Sequence, residues 1–184
     1  MASYSDNFDR PDSTNIGNWT EHADNWSIIS NQLAPGLAAT SFVTYNSPLD
    51  TSNHYAEIAI PVASATSMGV LARSDVGGNN FYLWRSDGSN WDLFYNVGGS
   101  FTSIASYAAP LVNGDVARIE CNGSTIKGYV NGVERVSVVD TQIPTGTYVG
   151  VRSQASSTAR YDSFLAADLA SISADPGAFF PFIQ

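Results

Sequence analysis

Four glutamates are the residues of this chain best suited to acid–base or nucleophilic chemistry. Cleavage of a glycosidic bond by a retaining route needs two carboxyl groups about 5–5.5 Å apart, a spacing that alternate positions on one face of a strand can supply. No two of Glu21, Glu57, Glu120 and Glu134 lie within three residues of each other. No predicted strand carries two acidic residues in alternation with a glutamate among them. The sequence therefore predicts no paired-carboxylate centre.

The two histidines and the single cysteine form no catalytic or metal-binding pattern. His22 and His54 lie in separate segments outside any His-x-His or His-Glu-x-x-His context, and with Cys121 they are too few for a zinc site at a known spacing. The chain has no Gly-x-Ser-x-Gly elbow and no phosphate-binding loop. We expect the histidines to be surface or strand-end residues, Cys121 to be a small buried hydrophobic residue, and the chain not to be an enzyme.

The charge of the chain disfavours polyanionic partners. The 184 residues carry a formal net charge of −9, and Lys127 is the one lysine. The arginines are scattered, so there is no basic footprint for nucleic acid, and the acidic balance argues against anionic membranes. No stretch approaches the ~18 apolar residues of a membrane span. Residues 1–6 have neither a basic nor an apolar region, so we expect no secretion signal.

Short segments of alternating apolar and polar residues run through most of the chain. Turn pairs such as Asn131-Gly132 separate them and supply the positive φ values that tight hairpins require. About twelve to fourteen strands without a three-turn helix predict an all-β fold, an antiparallel β-sandwich of two stacked sheets. Residues 103–109 are expected to form at most one short helical turn. The predicted strands are 26–29, 32–34, 38–45, 54–62, 67–73, 80–86, 91–97, 101–105, 115–121, 124–130, 133–139, 146–152 and 160–168.

The end of the chain differs from the rest. Residues 1–169 form the predicted sandwich, whereas 170–184 contain two prolines and a glycine that prevent a regular strand or helix. This apolar tail must be buried, either in a groove of its own sheet or against another chain, because exposed apolar patches favour association. Its apolar residues, the predicted assembly contact, are Phe179, Phe180, Phe182 and Ile183.

Several segments resemble concanavalin A-like (laminin G-like) jelly-roll domains. The opening residues 5–13 (Ser-Asp-Asn-Phe-Asp-Arg-Pro-Asp-Ser) are similar to the first strands of that family, and 129–136 (Tyr-Val-Asn-Gly-Val-Glu-Arg-Val) to its late hairpin. Residues 146–152 and 161–164 are similar to its closing strands. The resemblance covers roughly residues 5–168. It implies a jelly roll in which the last strand returns beside the first.

The concanavalin A-like family contains sugar-binding lectins, glucanases, adhesion modules and virion proteins of bacteriophages. Its glucanases carry Glu-x-Asp-x-x-Glu or a variant on one strand, which this chain lacks. The opening, the expected absence of a signal and the apolar tail look most like phage structural proteins. The resemblance thus implies a non-catalytic virion protein, a capsid decoration or cement protein or a tail or fibre subunit. It would assemble in the host cytoplasm with other virion proteins or copies of itself, as an oligomer. The alternative is a lectin-like carbohydrate-binding module that attaches to glycans or a host surface.

The resemblance also allows a calcium site, with Ca²⁺ as the only cofactor that it suggests. Asp6 and Asp162 fall on the predicted first and last strands, which the family places side by side, and related jelly rolls sometimes hold Ca²⁺ there through oxygen ligands. The alternative is that these aspartates cap turns or pair with Arg10 and Arg160.

Aromatic residues over 81–95 suggest a sugar site. Aromatic rings can stack on a pyranose while carboxylates and amides bind its hydroxyl groups. Alternation puts Tyr82 and Trp84 on one strand face, and the next strand follows a polar loop over 86–90. One face of this hairpin must be core, so the aromatics could also stack across strands for stability alone. The predicted glycan-binding set is Tyr82, Trp84, Asp92 and Asn96.

Overall fold

A computed structural model of the protein describes residues 1–37 and 40–170. Within those residues all regular structure is extended, and no helix is long and apolar enough to span a membrane. The strands are β1 (Ser3–Asp6), β2 (Trp19–Ala23), β3 (Ser27–Ile29), β4 (Gln32–Ala34), β5 (Ser41–Tyr45), β6 (His54–Val62), β7 (Met68–Ser74), β8 (Asn80–Ser86), β9 (Trp91–Val97), β10 (Ser100–Tyr107), β11 (Asp115–Asn122), β12 (Thr125–Val130), β13 (Val133–Val139), β14 (Tyr148–Ser153) and β15 (Arg160–Asp168).

The strands form two antiparallel sheets. One has eight strands in the order β13-β12-β11-β6-β15-β4-β3, with β1 also paired to β15. The other has seven, in the order β10-β9-β8-β7-β14-β5-β2. The pairing of β1 with β15 places the last strand beside the first, as the resemblance implied. The predicted antiparallel β-sandwich is confirmed.

Turn chemistry sets several strand ends. Asn131 and Gly132 have φ values of 53° and 75°, and they join β12 to β13 in the predicted hairpin. Gly98 and Gly99, with φ values of 58° and 88°, make an equally tight turn between β9 and β10. Two consecutive positive φ values match the right-handed twist of the flanking strands, so both hairpins close in two residues.

Residues 103–107, where the sequence allowed at most one short helical turn, are extended instead. The tight glycine turn returns the chain directly alongside β9, and residues 100–107 stay extended because they pair with it. A bulge between Ser103 and Ala105 absorbs one extra residue at this sheet edge. The short strand β2 was also missed by alternation, because two of its five residues are exposed and its burial does not alternate.

The core lies between the two sheets. On β6, buried Ala56, Ile58 and Ile60 alternate with half-buried residues, the pattern of a strand with one face inward. Cys121 of β11 is fully buried among them, as predicted, and this burial raises the pKa of its thiol to about 12. His54 starts β6 but is buried, not on the surface.

The apolar tail predicted over 170–184 lies outside the described residues, apart from its first residue. Phe179, Phe180, Phe182 and Ile183 are all in this part of the chain. Their role in assembly therefore stays a prediction.

Candidate functional site

Two of the four residues predicted to bind glycan are in the core. Tyr82 and Trp84 are both 0% exposed and point between the sheets. The hairpin register explains the error: Ser86 pairs with Trp91, so Arg85 lies opposite Asp92. Placing Ser86 in the loop would move the register by one residue and turn every side chain of one strand to the other face. The exposed stripe of Tyr82, Trp84, Asp92 and Asn96 does not form.

The inward position of Trp84 is supported by specific contacts. Its ring stacks on Trp91 with centroids 5.6 Å apart, and its indole N–H donates to the carbonyl of Tyr129 at 2.9 Å. Gly128 lies under the ring, where a Cβ atom would come within 2.6 Å of it. The one polar group of this side chain, the indole N–H, has a hydrogen-bond partner inside the protein, as expected for a residue of the core.

The side chains of Asp92 and Asn96 lie on the face of the seven-stranded sheet that is directed away from the core. We call this surface the outer face. Cross-strand partners share a face, so Arg85 joins Asp92, and Phe81 joins Asn96. Phe101 of β10 lies over this face, with its ring 5.9 Å from Phe81. The apolar side chains grouped on the outer face are Phe42, Leu71, Phe81, Leu83, Phe94 and Phe101.

Phe101 separates two depressions on the outer face. It is 38% exposed and lines both of them. The larger one, which we call the Asn96 depression, has a volume of about 420 Å³. The smaller one, the Arg152 depression, has a volume of about 230 Å³. A partly exposed phenyl ring between two hollows is a surface on which a flat apolar ligand face could rest.

The Asn96 depression contains a buried hydrogen-bond acceptor without a partner. Asn96 is 3% exposed, and its amide N–H donates to the carbonyl of Asn79 at 2.8 Å. Its Oδ1 atom has no hydrogen-bond partner among the described residues. Since buried polar atoms are nearly always paired, this oxygen is an acceptor whose hydrogen-bonding capacity the described residues leave unused.

A histidine and a glycine shape the far wall of the Asn96 depression. The imidazole of His22 stacks on Phe42 at 4.9 Å and shares a hydrogen bond with the Thr44 hydroxyl at 2.7 Å. Burial lowers the pKa of His22, which favours the neutral ring. Gly78 has a φ of 69°, and a Cβ there would come within 2.5 Å of Phe42. The loop can therefore close against these two rings only with glycine at this position.

The Arg152 depression is lined by two arginines and two phenylalanines. The guanidinium of Arg85 lies 4.7 Å from the ring centroid of Phe94, and that of Arg152 lies 5.1 Å from Phe101. Arg152 also donates a hydrogen bond to the hydroxyl of Ser67. Leu83 and Gln154 complete the lining. Neither this depression nor the Asn96 depression is lined by a carboxylate of the described residues.

The glutamates are closer in space than in the sequence. Glu57 lies opposite Arg118 on the outward side of the eight-stranded sheet, and Arg118 contacts Glu120 at 2.9 Å. Glu57 and Glu120 thus take diagonal positions on neighbouring strands, where Cα atoms are about 7–8 Å apart. Arg118 lies on the same face as both of them, and Glu21 and Glu134 have other partners, the Trp26 amide and the Lys127 ammonium.

The carboxylate of Asp6 is already occupied. Both of its oxygens accept hydrogen bonds from Arg10, at 2.8 and 3.1 Å, and the Trp19 indole also donates to it. Asp162 accepts from the backbone N–H of Ser163, which has a positive φ. These are the turn-capping and arginine-pairing roles left open as the alternative. The described residues contain no cluster of three or more His, Cys, Asp or Glu placed to hold a metal ion.

The functional candidates that sequence reasoning missed are Phe101, Arg85 and Arg152. Phe101 and Arg152 come from strands on opposite sides of the sheet centre, and local alternation cannot bring them together. One signal was present: Arg85 follows Trp84 directly, so its side chain had to lie on the face opposite to Trp84.

The architecture has many solved counterparts. The carbohydrate-binding module CBM66 from Bacillus subtilis is 18% identical, with a TM-score of 0.68 over 86% of this chain and 97% of that one. A lichenase from a mouse hindgut metagenome is 12% identical, with a TM-score of 0.65 over 92% and 100%. The fold is a concanavalin A-like jelly roll. The exoplasmic/lumenal domain of VIP36 with Ca²⁺ and Man2 bound is 11% identical, with a TM-score of 0.65 over 92% and 88%. No protein-family model and no curated protein sequence matches the chain.

Proposed function

We propose that this jelly roll is a carbohydrate-binding module that holds a glycan on its outer face and does not cleave it. The observation that carries the proposal is the buried Oδ1 of Asn96, which lacks a partner in the described part of the chain and lies beside Phe81 and the exposed ring of Phe101. A sugar offers what this arrangement lacks, because its hydroxyl groups donate hydrogen bonds while its C–H face packs on a ring.

The similar structures support the same choice. CBM66 is named as a carbohydrate-binding module, and VIP36 is described with mannose saccharides bound. Glucanases are also among the similar structures, so the fold by itself is compatible with binding or with catalysis. The proposal of binding without cleavage rests on the linings of the two depressions, which contain amides, arginines and phenylalanines but no carboxylate from residues 1–37 or 40–170.

The test is a screen of neutral and charged oligosaccharides followed by calorimetry on two variants. Phe101→Ala removes the ring between the depressions, and Asn96→Ala removes the acceptor. We expect each to weaken binding at least about tenfold, the scale of one stacking contact or one hydrogen bond to a buried group. Val139→Ala, an exposed residue of β13 on the other sheet, is the matched control and should bind normally. Absence of binding to any glycan at millimolar concentration would refute the proposal.

The non-catalytic part needs its own experiment. Glu57 and Glu120 are the carboxylates that the fold brings nearest to each other among the glutamates, so they are the ones to test. We expect no polysaccharide to be cleaved by the wild type. Turnover that is abolished in Glu57→Gln or Glu120→Gln would show that the protein is a hydrolase.

A role as a virion structural subunit is the second proposal. It is supported by the apolar residues of 170–184 and by the valines that β13 leaves exposed at the sheet edge, Val133 and Val139. Edge strands with exposed apolar residues are common sites of association. Light scattering coupled to size-exclusion chromatography should show an oligomer that dissociates on deletion of 170–184. A monomer unaffected by the deletion would contradict this role.

A further inference from the structure

Two arginines are held side by side on the outer face. Arg152 on β14 and Arg85 on β8 both pair with Gly69 of the intervening strand β7, so they share a face with one residue between them that has no side chain. Strands lie about 4.8 Å apart, so the two Cα atoms are about 10 Å apart, well within the reach of two arginine side chains.

Aromatic rings bring the two guanidinium groups towards each other. Arg85 lies over Phe94, and Arg152 lies over Phe101. The two rings are themselves in edge-to-face contact, with centroids 6.4 Å apart. These cation–π contacts favour positions of both guanidinium groups in the Arg152 depression.

The charge of Arg152 is not neutralised by the described part of the protein. The residue is only 7% exposed, its Nε atom has no hydrogen-bond partner, and no carboxylate of the described residues lies within 4.0 Å of it. Burial, together with the charge of Arg85, lowers its pKa to about 10. A buried cation without a counter-ion is costly, since desolvation is not repaid by pairing.

The neighbouring arginine is only loosely paired. The carboxylates of Asp87 and Asp92 lie 4.0 and 3.9 Å from Arg85, too far for hydrogen bonds. Two of the seven arginines of a chain with net charge −9 are thus placed together, and no carboxylate of the described residues comes within hydrogen-bond distance of either. Apart from Asp87 and Asp92, carboxylates more than about 8 Å away are largely screened at physiological ionic strength, so the net charge by itself does not prevent local anion binding.

We propose that the Arg152 depression receives the carboxylate of an acidic sugar, so that the glycan recognised by the outer face contains uronic acid. The inference rests on the proposed function, since it names the chemical class of the same ligand. A planar guanidinium donates two parallel hydrogen bonds to a carboxylate. The depression lies across Phe101 from the Asn96 depression, so adjoining sugar units of one chain would reach the amide and the arginines together.

The experiment compares matched ligands. Trisaccharides of galacturonic, glucuronic, mannuronic and guluronic acid are titrated by calorimetry against their methyl esters, which keep the shape and lose the charge. We expect one acid to bind about tenfold or more tightly than its ester, as for a hydrogen bond to a charged group. The preference should shrink between about 50 mM and about 500 mM NaCl because salt screens partly exposed charges.

The variants are Arg152→Gln and Arg85→Gln, with Arg135→Gln as the control. Arg135 is an exposed arginine of β13, in the other sheet. Arg135→Gln therefore removes one positive charge at a position far from the Arg152 depression. Each site variant should bind acid and ester with nearly equal affinity, while the control keeps the preference. If Arg152→Gln does not fold, as judged by its thermal transition, the half-buried Arg85 variant decides alone.

The possible outcomes distinguish the recognition of uronic acid from the carbohydrate binding on which it rests. Equal affinity of wild type for acids and esters would overturn the inference and leave carbohydrate binding intact. An arginine-dependent preference for sulfated trisaccharides over uronates would overturn the carboxylate assignment. Binding of no saccharide of any kind would overturn both.

Discussion

A single added methyl group at Gly128 should test whether Trp84 is a core residue. Gly128 lies on β12 of the eight-stranded sheet, directly beneath the indole of Trp84 from the other sheet. In Gly128→Ala the new Cβ would lie 2.6, 2.7 and 2.8 Å from three ring carbons. Favourable carbon–carbon contacts lie at about 3.5–4.0 Å, so the ring would have to move by about 1 Å.

The ring has little freedom to make that movement. Its far side stacks on Trp91, and its N–H is bonded to the Tyr129 carbonyl beside the mutated residue. Overpacking of a dense core costs about 1–3 kcal/mol, and loss of the hydrogen bond costs about 1 kcal/mol more. Gly128 does not have a positive φ, so alanine adds no backbone strain and recovers about 0.4–1 kcal/mol from the unfolded chain. The net destabilisation should be about 1–3.5 kcal/mol.

Urea unfolding followed by tryptophan fluorescence measures this change. The midpoint should fall with an unchanged slope, because the surface exposed on unfolding stays the same. Trp84→Phe in the Gly128→Ala background should restore at least about 1 kcal/mol relative to additivity, since the smaller ring leaves room for the methyl group. Gly98→Ala is the control: its Cβ meets nothing within 4 Å, so it should show strain from its φ of 58° and no coupling to Trp84.

Two results would refute the reasoning. Gly128→Ala could be as stable as the wild type, which would mean that the ring is not confined above β12. Alternatively, Trp84→Phe could fail to couple with it, which would place the cost elsewhere. In either case the inward packing of Trp84, and with it the assignment of the outer face as the binding surface, would have to be revised.

Two further predictions concern buried polar groups. Burial lowers the pKa of His54 to about 4, and its Nε2 accepts the Arg73 amide, so the folded state favours the neutral ring. The free energy of unfolding should therefore reach its maximum contribution from His54 above about pH 6.5 and should decrease as the pH falls towards 4, by about 2 kcal/mol at pH 5. Urea titrations at several pH values should show a smaller pH dependence for His54→Gln. Tyr82→Phe should cost about 1–3 kcal/mol without affecting glycan affinity, because it removes the hydroxyl that donates to Asp140 at 2.5 Å. A weakened affinity in Tyr82→Phe would show that the core face takes part in binding.

The strands could be predicted from the sequence because their signals are local. The bounds of β6, β9 and β13 agree with the alternating segments that predicted them. Asn131-Gly132 sets a hairpin by its own backbone preference, whatever the rest of the chain does. Local signals left room for one short helical turn over 103–109, because only pairing with β9 makes residues 103–107 extended.

The binding surface could not be predicted because both faces of β8 are apolar. Phe81 and Leu83 are as buried as Tyr82 and Trp84. Phe81 and Leu83 lie on the outer face, where Phe101 covers them, whereas Tyr82 and Trp84 lie in the core. Alternation therefore separates the two pairs without saying which is inside. The length of the loop between β8 and β9 decides which side chains of the two strands share a face. A loop longer or shorter by one residue would pair Trp84 with the face of β9 that carries Asp92.

Buried polar atoms provide a criterion that the sequence cannot. The Trp84 N–H has a partner inside the protein, whereas Asn96 Oδ1 and Arg152 Nε have none among the described residues. The Nε atoms of Arg10 and Arg118, the indole N–H groups of Trp26 and Trp91 and the hydroxyl of Ser153 also lack partners among the described residues, but none of them lines either depression. Asn96 and Arg152 differ because they line adjoining depressions on one face and together lack both a donor and an anion. A glycan with one free carboxylate and neutral hydroxyl groups supplies both, which is why the two depressions are better explained by one ligand than by two separate packing defects.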